Sequence, residues 1–206
     1  GGLRPEYNGA QDYDYIFRCT EMAGKIVHIP RVLYHWRVHS ASTADNPASK
    51  LYAYEAGKKA IEGNLARCGE EGTVTLRSDY GFYDVDYKLR GTPLVSILIP
   101  NKDQADTLRT CLESIKKKCM YPSYEILIIE NNSTEEATFS YYKELEAQGI
   151  RVLKYPKQGF NYSAINNFGV KEAKGEYLLF LNNDMEIITP DFMEKMVSNL
   201  QRPQIG

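Results

Sequence analysis

The sequence predicts an α/β protein built on a mainly parallel sheet, and three observations carry that prediction. From Pro93 onward, strand and helix patterns alternate as βαβαβαβα, an order that implies parallel strands joined by right-handed crossovers. The run 177–181 is apolar without polar alternation, the pattern of a strand buried on both faces. That run stops abruptly at Asn182, Asn183 and Asp184, and ligands of open α/β sheets bind just beyond the carboxyl ends of such strands.

The elements follow in order. Residues 94–99 form a strand ended by Pro100. Residues 105–118 form a helix with Leu108, Cys111, Leu112 and Ile115 on one face. Its last turn carries Lys116, Lys117 and Lys118, which suit a negative helix C-terminus. Residues 125–129 are the next strand. Ser133-Thr-Glu-Glu136 reads as a capping box opening a helix that ends near Gly149. A third strand covers 150–155, and a helix over 162–174 is closed by Gly175 before the apolar strand. Thr189-Pro190 caps the last helix, with Phe192, Met193, Met196, Val197 and Leu200 as its buried face. Upstream, 11–22 reads as a short helix ended by Gly24, and 25–29 and 32–38 as strands parted by Pro30. Asn46-Pro47 starts a helix stopped at Gly69, with Leu51, Tyr54, Ile61 and Leu65 on one face. Residues 73–89 read as two β segments around Asp79-Tyr80-Gly81.

Composition narrows the function classes. Of 206 residues, 43% are hydrophobic and 25% charged, as in an ordinary soluble globular protein. A net charge of −2 gives no broad attraction to nucleic acid or anionic lipid. The cysteines Cys19, Cys68, Cys111 and Cys119 form no Cys-x-x-Cys pair and no zinc spacing with the histidines, so reduced thiols in a cytoplasmic protein are expected. No apolar run reaches the roughly 20 residues of a membrane helix, and no signal peptide opens the chain. Pro100-Asn-Lys-Asp-Gln-Ala-Asp106 lacks Gly-x-Gly-x-x-Gly, which argues against a nicotinamide dehydrogenase, and a P-loop is missing. The chain opens Gly-Gly-Leu-Arg without Met and stops at Pro203-Gln-Ile-Gly, so it reads as a fragment of something longer.

Four segments occur in sequence: Pro93-Leu-Val-Ser-Ile-Leu-Ile-Pro-Asn-Lys-Asp103, Ile126-Leu-Ile-Ile-Glu-Asn-Asn-Ser-Thr134, Phe160-Asn-Tyr-Ser-Ala-Ile-Asn-Asn167 and Leu179-Phe-Leu-Asn-Asn-Asp184. Together they resemble the nucleotide-binding half of an inverting family 2 glycosyltransferase with a GT-A fold. Gly9-Ala-Gln-Asp-Tyr-Asp-Tyr-Ile-Phe-Arg18 and Leu33-Tyr-His-Trp-Arg-Val-His-Ser-Ala-Ser-Thr43 resemble the acceptor-side segments of the same family, which normally follow the metal motif. The resemblance therefore implies a tandem arrangement: 1–45 the tail of one transferase domain, 46–92 a helix-plus-β connector, and 93–206 the first half of the next domain.

What the resemblance implies for chemistry can be set against plainer readings. It assigns base and ribose recognition to the first two strand ends, Pro100, Asn101 and Asp103, then Glu130, Asn131 and Asn132. An imide N–H needs an acceptor there; Asn131 stands where the family usually has Asp, keeping an acceptor without the charge. The alternative is that Asp103, Asn131 and Asn132 are turn formers. Asp184 matches the last Asp of the family's Asp-x-Asp motif, implying Mg²⁺ or Mn²⁺ on the diphosphate, with Asn182 as a weaker amide ligand and Asn183 beside it. Asn161, Ser163, Asn166 and Asn167 flank or begin a helix whose N-terminal amides favour an anionic group; capping by Asn161 or Ser163 is the alternative. Asp12 matches the family's general base, with Asp14 its rival and complementation of the helix dipole the plain reading. His35, Arg37 and His39 share one strand face, so His39 is a candidate metal ligand, with a solvated polar face the alternative; Tyr34, Trp36 and Val38 would face core. The implied function is inverting, metal-assisted transfer of a sugar from a UDP- or dTDP-sugar, with dTDP-rhamnose suggested by the rhamnosyltransferase-like combination of motifs. The acceptor would be a saccharide or lipid-linked saccharide of a cell-surface polysaccharide, the parent protein cytoplasmic with peripheral association at the membrane, and the fragment inactive alone. A non-catalytic nucleotide-sugar or polysaccharide-binding module is the alternative.

Overall fold

The computed structural model describes residues 2–35, 50–203 and 205. The chain forms two compact units, Gly1–Lys88 and Leu89–Gly206.

The C-terminal unit is an α/β sandwich. Strands β3 (Val95–Asn101), β4 (Tyr124–Glu130), β5 (Arg151–Lys154) and β6 (Tyr177–Phe180) form a parallel sheet in the order β5-β4-β3-β6. The path runs β3 to β4 to β5 in one direction, then reverses to β6 on the far side of β3. Right-handed crossovers therefore put helices α3 (Ala105–Lys118) and α4 (Glu136–Ala147) on one face and α5 (Tyr162–Val170) on the other. Alternating residues of β3 follow that division. Ile97 and Ile99 join Leu108, Leu112, Ile115 and Leu145, whereas Leu98 joins Ile129 and Ile165. Helix α6 (Phe192–Leu200) adds Met193 and Val197 to the first face. Gly169 allows α5 to lie against the sheet, since a Cβ there would stand 2.6 Å from Ile129 Cδ1.

The N-terminal unit has a 3₁₀ turn (Pro5–Tyr7), helices α1 (Gln11–Met22) and α2 (Leu51–Cys68), and an antiparallel hairpin of β1 (Gly72–Leu76) and β2 (Tyr83–Tyr87). Ile61, Leu65 and Val74 form its core, packed by Phe17, Tyr83 and Val85. Arg67 joins the helices by donating to Glu21 at 2.8 Å. Helix α2 ends at Gly69 in the left-handed region (φ 70°), as a glycine C-cap should.

Several expectations are corrected. The run over 177–181 is not buried on both faces: Leu178 and Phe180 are 36% and 47% exposed, because β6 is an edge strand and α5 covers β3 and β4 instead. Pro100 does not end its strand. Pairing with β6 stops at Leu98, so the missing N–H costs no ladder bond on that side and β3 continues to Asn101. Ser133 does not cap α4; the N-cap position is Glu135, without a side-chain cap bond. Helix α5 ends at Val170 rather than at 174. The last helix starts at Phe192 after Asp191, not at Pro190, and Met196 is half exposed. No strand occurs among residues 25–35, where Ile26, Val32 and Tyr34 stand in solvent with no partner strand. Asn46-Pro47, Arg37 and His39 lie outside the described residues. All four cysteines are free thiols.

Candidate functional site

Register brings three loops to one rim. Asn101 pairs with Glu130, so β3 and β4 end together, and Leu181 N–H donates to Leu98 O at 3.0 Å just past β6. Loops 101–104, 130–134 and 181–184 therefore meet at the carboxyl edge, where the strand order reverses. Asn131 N–H donates to Asn101 O at 2.8 Å. The Asn101 side chain, 2% exposed, ties its own loop to 181–184 and to α4: its Oδ1 accepts from Asn183 Nδ2 at 2.7 Å, and its Nδ2 donates to Tyr142 Oη at 2.8 Å and Asp103 O at 2.9 Å. An amide suits this place because it accepts on one side and donates on the other.

Three non-glycine residues in the left-handed region cluster here: Asp103 (φ 55°), Gln104 (φ 59°) and Asn132 (φ 60°). Each such conformation costs about 1 kcal/mol, and a dense set of bonds holds it. Asp103 Oδ1 accepts from Thr134 N–H at 2.7 Å and Glu135 N–H at 2.9 Å, and Asp103 N–H donates to Ser133 Oγ at 2.9 Å. Those backbone donors, Glu135 first and then Thr134, hold the Asp103 carboxyl below the ordinary aspartate range. Glu130, buried, accepts from Ser133 N–H at 2.5 Å. Asn132 Nδ2 donates to Lys157 O at 3.0 Å and to Asn131 Oδ1 at 2.9 Å.

Asp184 and Asn182 are exposed on the same rim, and Asn182 Oδ1 lies 3.4 Å from Tyr162 Oη. Among the described residues no three His, Cys, Asp or Glu side chains converge on a metal position. One carboxylate and one amide oxygen fit a hard cation only where phosphate and water oxygens complete its shell. Asn161 caps α5, its Oδ1 accepting from Ala164 N–H at 3.0 Å. Asn166 is buried; its Nδ2 donates to Tyr162 O at 2.9 Å, while its Oδ1 has no hydrogen-bond partner among the described residues. An orphaned buried acceptor is costly unless something answers it. Cys111, behind the rim, is pushed up to about 11 by burial, so it is an inert thiol.

The other sequence candidates stand elsewhere. Asp12 belongs to the N-terminal unit, exposed at the start of α1 and bonded to its neighbour's N–H (Tyr13, 2.9 Å). Its rival Asp14 is fully buried and paired with Arg18 at 2.9 Å, a structural ion pair. The sequence reading missed Tyr142, Ser133 and Gln104. Gln104 left no signal beyond its place in a loop, and the signal at Ser133 reads as a capping box. Tyr142 left one: a hydroxyl on the buried face of a helix needs a partner.

The family profile described as Glycosyl transferase family 2 matches residues 96–205. The chain is 43% identical over 206 residues to the O-antigen biosynthesis protein RfbC of Myxococcus xanthus, covering all of this chain and 16% of that protein. It is 40% identical over 211 residues to the uncharacterized protein y4gI of Sinorhizobium fredii, covering 23% of it. The chain thus spans less than a quarter of either relative. Among solved structures, the mannosyltransferase PcManGT from Pyrobaculum calidifontis, in complex with GDP-Man and Mn²⁺, aligns with a TM-score of 0.50 at 17% identity, over 77% of this chain and 44% of that one. That likeness concerns the fold.

Proposed function

The chain belongs to glycosyl transferase family 2, and from that premise we propose that its C-terminal unit is the donor-binding half of a GT-A glycosyltransferase acting in cell-surface polysaccharide synthesis. The observation that carries this reading is the convergence of Asn101, Asn131, Asn183 and Asp184 at the reversal point of the parallel sheet, tied by the 2.7 Å Asn183–Asn101 bond. The donor is a UDP- or dTDP-sugar. Pro100, Asn101, Asn131 and Asn132 form the wall for base and ribose, with Asp103 and Glu130 holding that wall in shape. Asn161 caps α5, whose N-terminal amides favour the diphosphate, and Asn166 lies a turn further into the helix.

Asp184 and Asn182 are the residues that would hold Mg²⁺ or Mn²⁺; a bound divalent cation supplies Lewis-acid stabilisation of the departing diphosphate. The chain's own groups orient the donor and keep the loops closed around it. The transfer inverts the anomeric centre in a single displacement. Asp12 is the general base of an acceptor-side segment, the tail of a preceding transferase domain in a tandem enzyme, and dTDP-rhamnose is the donor that the motif combination favours. The wider role in O-antigen-type polysaccharide synthesis is supported by the 43% identity to RfbC.

Calorimetry with UDP and dTDP, with and without Mn²⁺, tests the reading. Asp184→Ala is expected to abolish the Mn²⁺-dependent gain in nucleotide affinity. Equal affinity in both proteins under both conditions removes Asp184 from the site, and a preference for purine nucleotides refutes the donor class.

A further inference from the structure

A cleft of about 1030 Å³ opens in the N-terminal unit, and the donor reading makes no use of it. Its walls come from the start of α1, the first two turns of α2 and the turn between β1 and β2. Five tyrosines line it: Tyr13, Tyr52, Tyr54, Tyr80 and Tyr83. Three of them fix its shape. Tyr54 and Tyr80 stack with ring centroids 5.2 Å apart and planes at 18°, and Tyr83 Oη donates to Tyr54 O at 2.9 Å, pinning the hairpin to α2. Glycines make the room. A Cβ at Gly57 would collide with the Tyr83 hydroxyl, and one at Gly9 would lie 2.8 Å from Tyr52 Cε2.

Tyr13, Tyr52 and Tyr80 remain 37%, 54% and 44% exposed. Rings held by packing yet open to water keep an apolar face and a polar hydroxyl at low entropic cost of ordering. Charge decides between ligand classes. Lys50 and Asp12 are the charged side chains lining the cleft among the described residues, and they offset one another. A diphosphate needs more cation than that. A neutral sugar ring fits: its C–H face lies on an aromatic ring, while its hydroxyls find phenols, the Asn8 amide and the Asp12 carboxylate. We propose that this cleft binds a neutral saccharide chain, with Tyr52 and Tyr80 as stacking platforms and Asp12 as the acceptor for a sugar hydroxyl.

The proposal rests on the acceptor-side reading of Asp12 and does not need the donor site. Saturation-transfer NMR and calorimetry on the 206-residue chain, titrated with maltopentaose, mannopentaose and a linear rhamnose pentasaccharide, test it. At least one saccharide should bind saturably and weaken about tenfold in Tyr52→Ala and in Tyr80→Ala. Tyr52→Phe should retain most of the binding, because the ring is kept, and Asp184→Ala should leave it unchanged. Circular dichroism checks that each variant folds; Tyr52 is half exposed, so its variant is the secure one if the stacked Tyr80 proves structural. Failure of all three saccharides to bind overturns the proposal, as does binding that ignores Tyr52→Ala and Asp12→Asn, or competitive displacement by UDP. Saccharide binding without nucleotide binding would refute the donor reading alone.

Discussion

At the residue scale, Asn101 organises the rim. Asn101→Ala removes the partner of the Asn183 amide and one partner of the buried Tyr142 hydroxyl, and orphaned buried groups cost about 1–3 kcal/mol. Tyr142→Phe removes the hydroxyl altogether and leaves Asn101 its other bonds, so it should cost less, about 1 kcal/mol. Urea unfolding of both variants checks the order; a harmless Asn101→Ala would mean the network is not holding the loops. Asp103 gives a pH prediction. Its folded carboxyl titrates below the ordinary range because Glu135 and Thr134 N–H groups favour the anion. Its contribution is therefore present above the unfolded value and lost as acid titrates the folded group, below about pH 4. Asp103→Asn should flatten that part of the acid limb. An unchanged acid profile would show that the carboxylate's charge is immaterial to the loop.

At the element scale, glycines set how closely strands and helices approach. Gly175 precedes β6, and its N–H donates to Ser96 Oγ at 2.8 Å. A Cβ there would lie 2.5 Å from Ser96 N and 2.8 Å from Leu94 O, both backbone atoms of or next to β3. Gly175→Ala should therefore displace the start of β6 and cost about 1–3 kcal/mol. Gly169→Ala meets side-chain ends of Ile129 and Leu98 instead and should cost less. Thermal melts of the pair decide; equal losses would argue that the backbone contact gives way easily. These approaches also mark what the sequence could reveal. Helix α3 was legible to the residue because Leu108, Cys111, Leu112 and Ile115 repeat at helical spacing and all bury. The loop after β6 was legible because an apolar run ends in three polar residues. The start of α4 was not: the local pattern pointed to a Ser133 cap, yet the helix has no side-chain cap, and the Thr134 and Glu135 N–H groups just before it both donate to Asp103 Oδ1, some thirty residues earlier. Nor was the exposure of Leu178 and Phe180, since a run of apolar residues does not say whether a strand is central or at an edge.

At the scale of the whole molecule, the parallel sheet and both of its cores lie between Leu89 and Gly206, and so does every residue of the proposed donor site. A unit with its own core is able to fold alone. A fragment of residues 89–206 should unfold cooperatively, with far-ultraviolet circular dichroism of an α/β protein and dispersed amide resonances. Because the Asn183–Asn101 bond and the left-handed loops are internal to it, it should also keep the Mn²⁺-dependent nucleotide affinity of the 206-residue chain within a few-fold. The saccharide affinity proposed for the tyrosine cleft should be absent from it. A folded fragment that lost nucleotide binding would place part of the donor site among residues 1–88. A fragment that retained saccharide binding would move that site out of the tyrosine cleft. The two ligands thus divide the chain by function as its contacts divide it by structure.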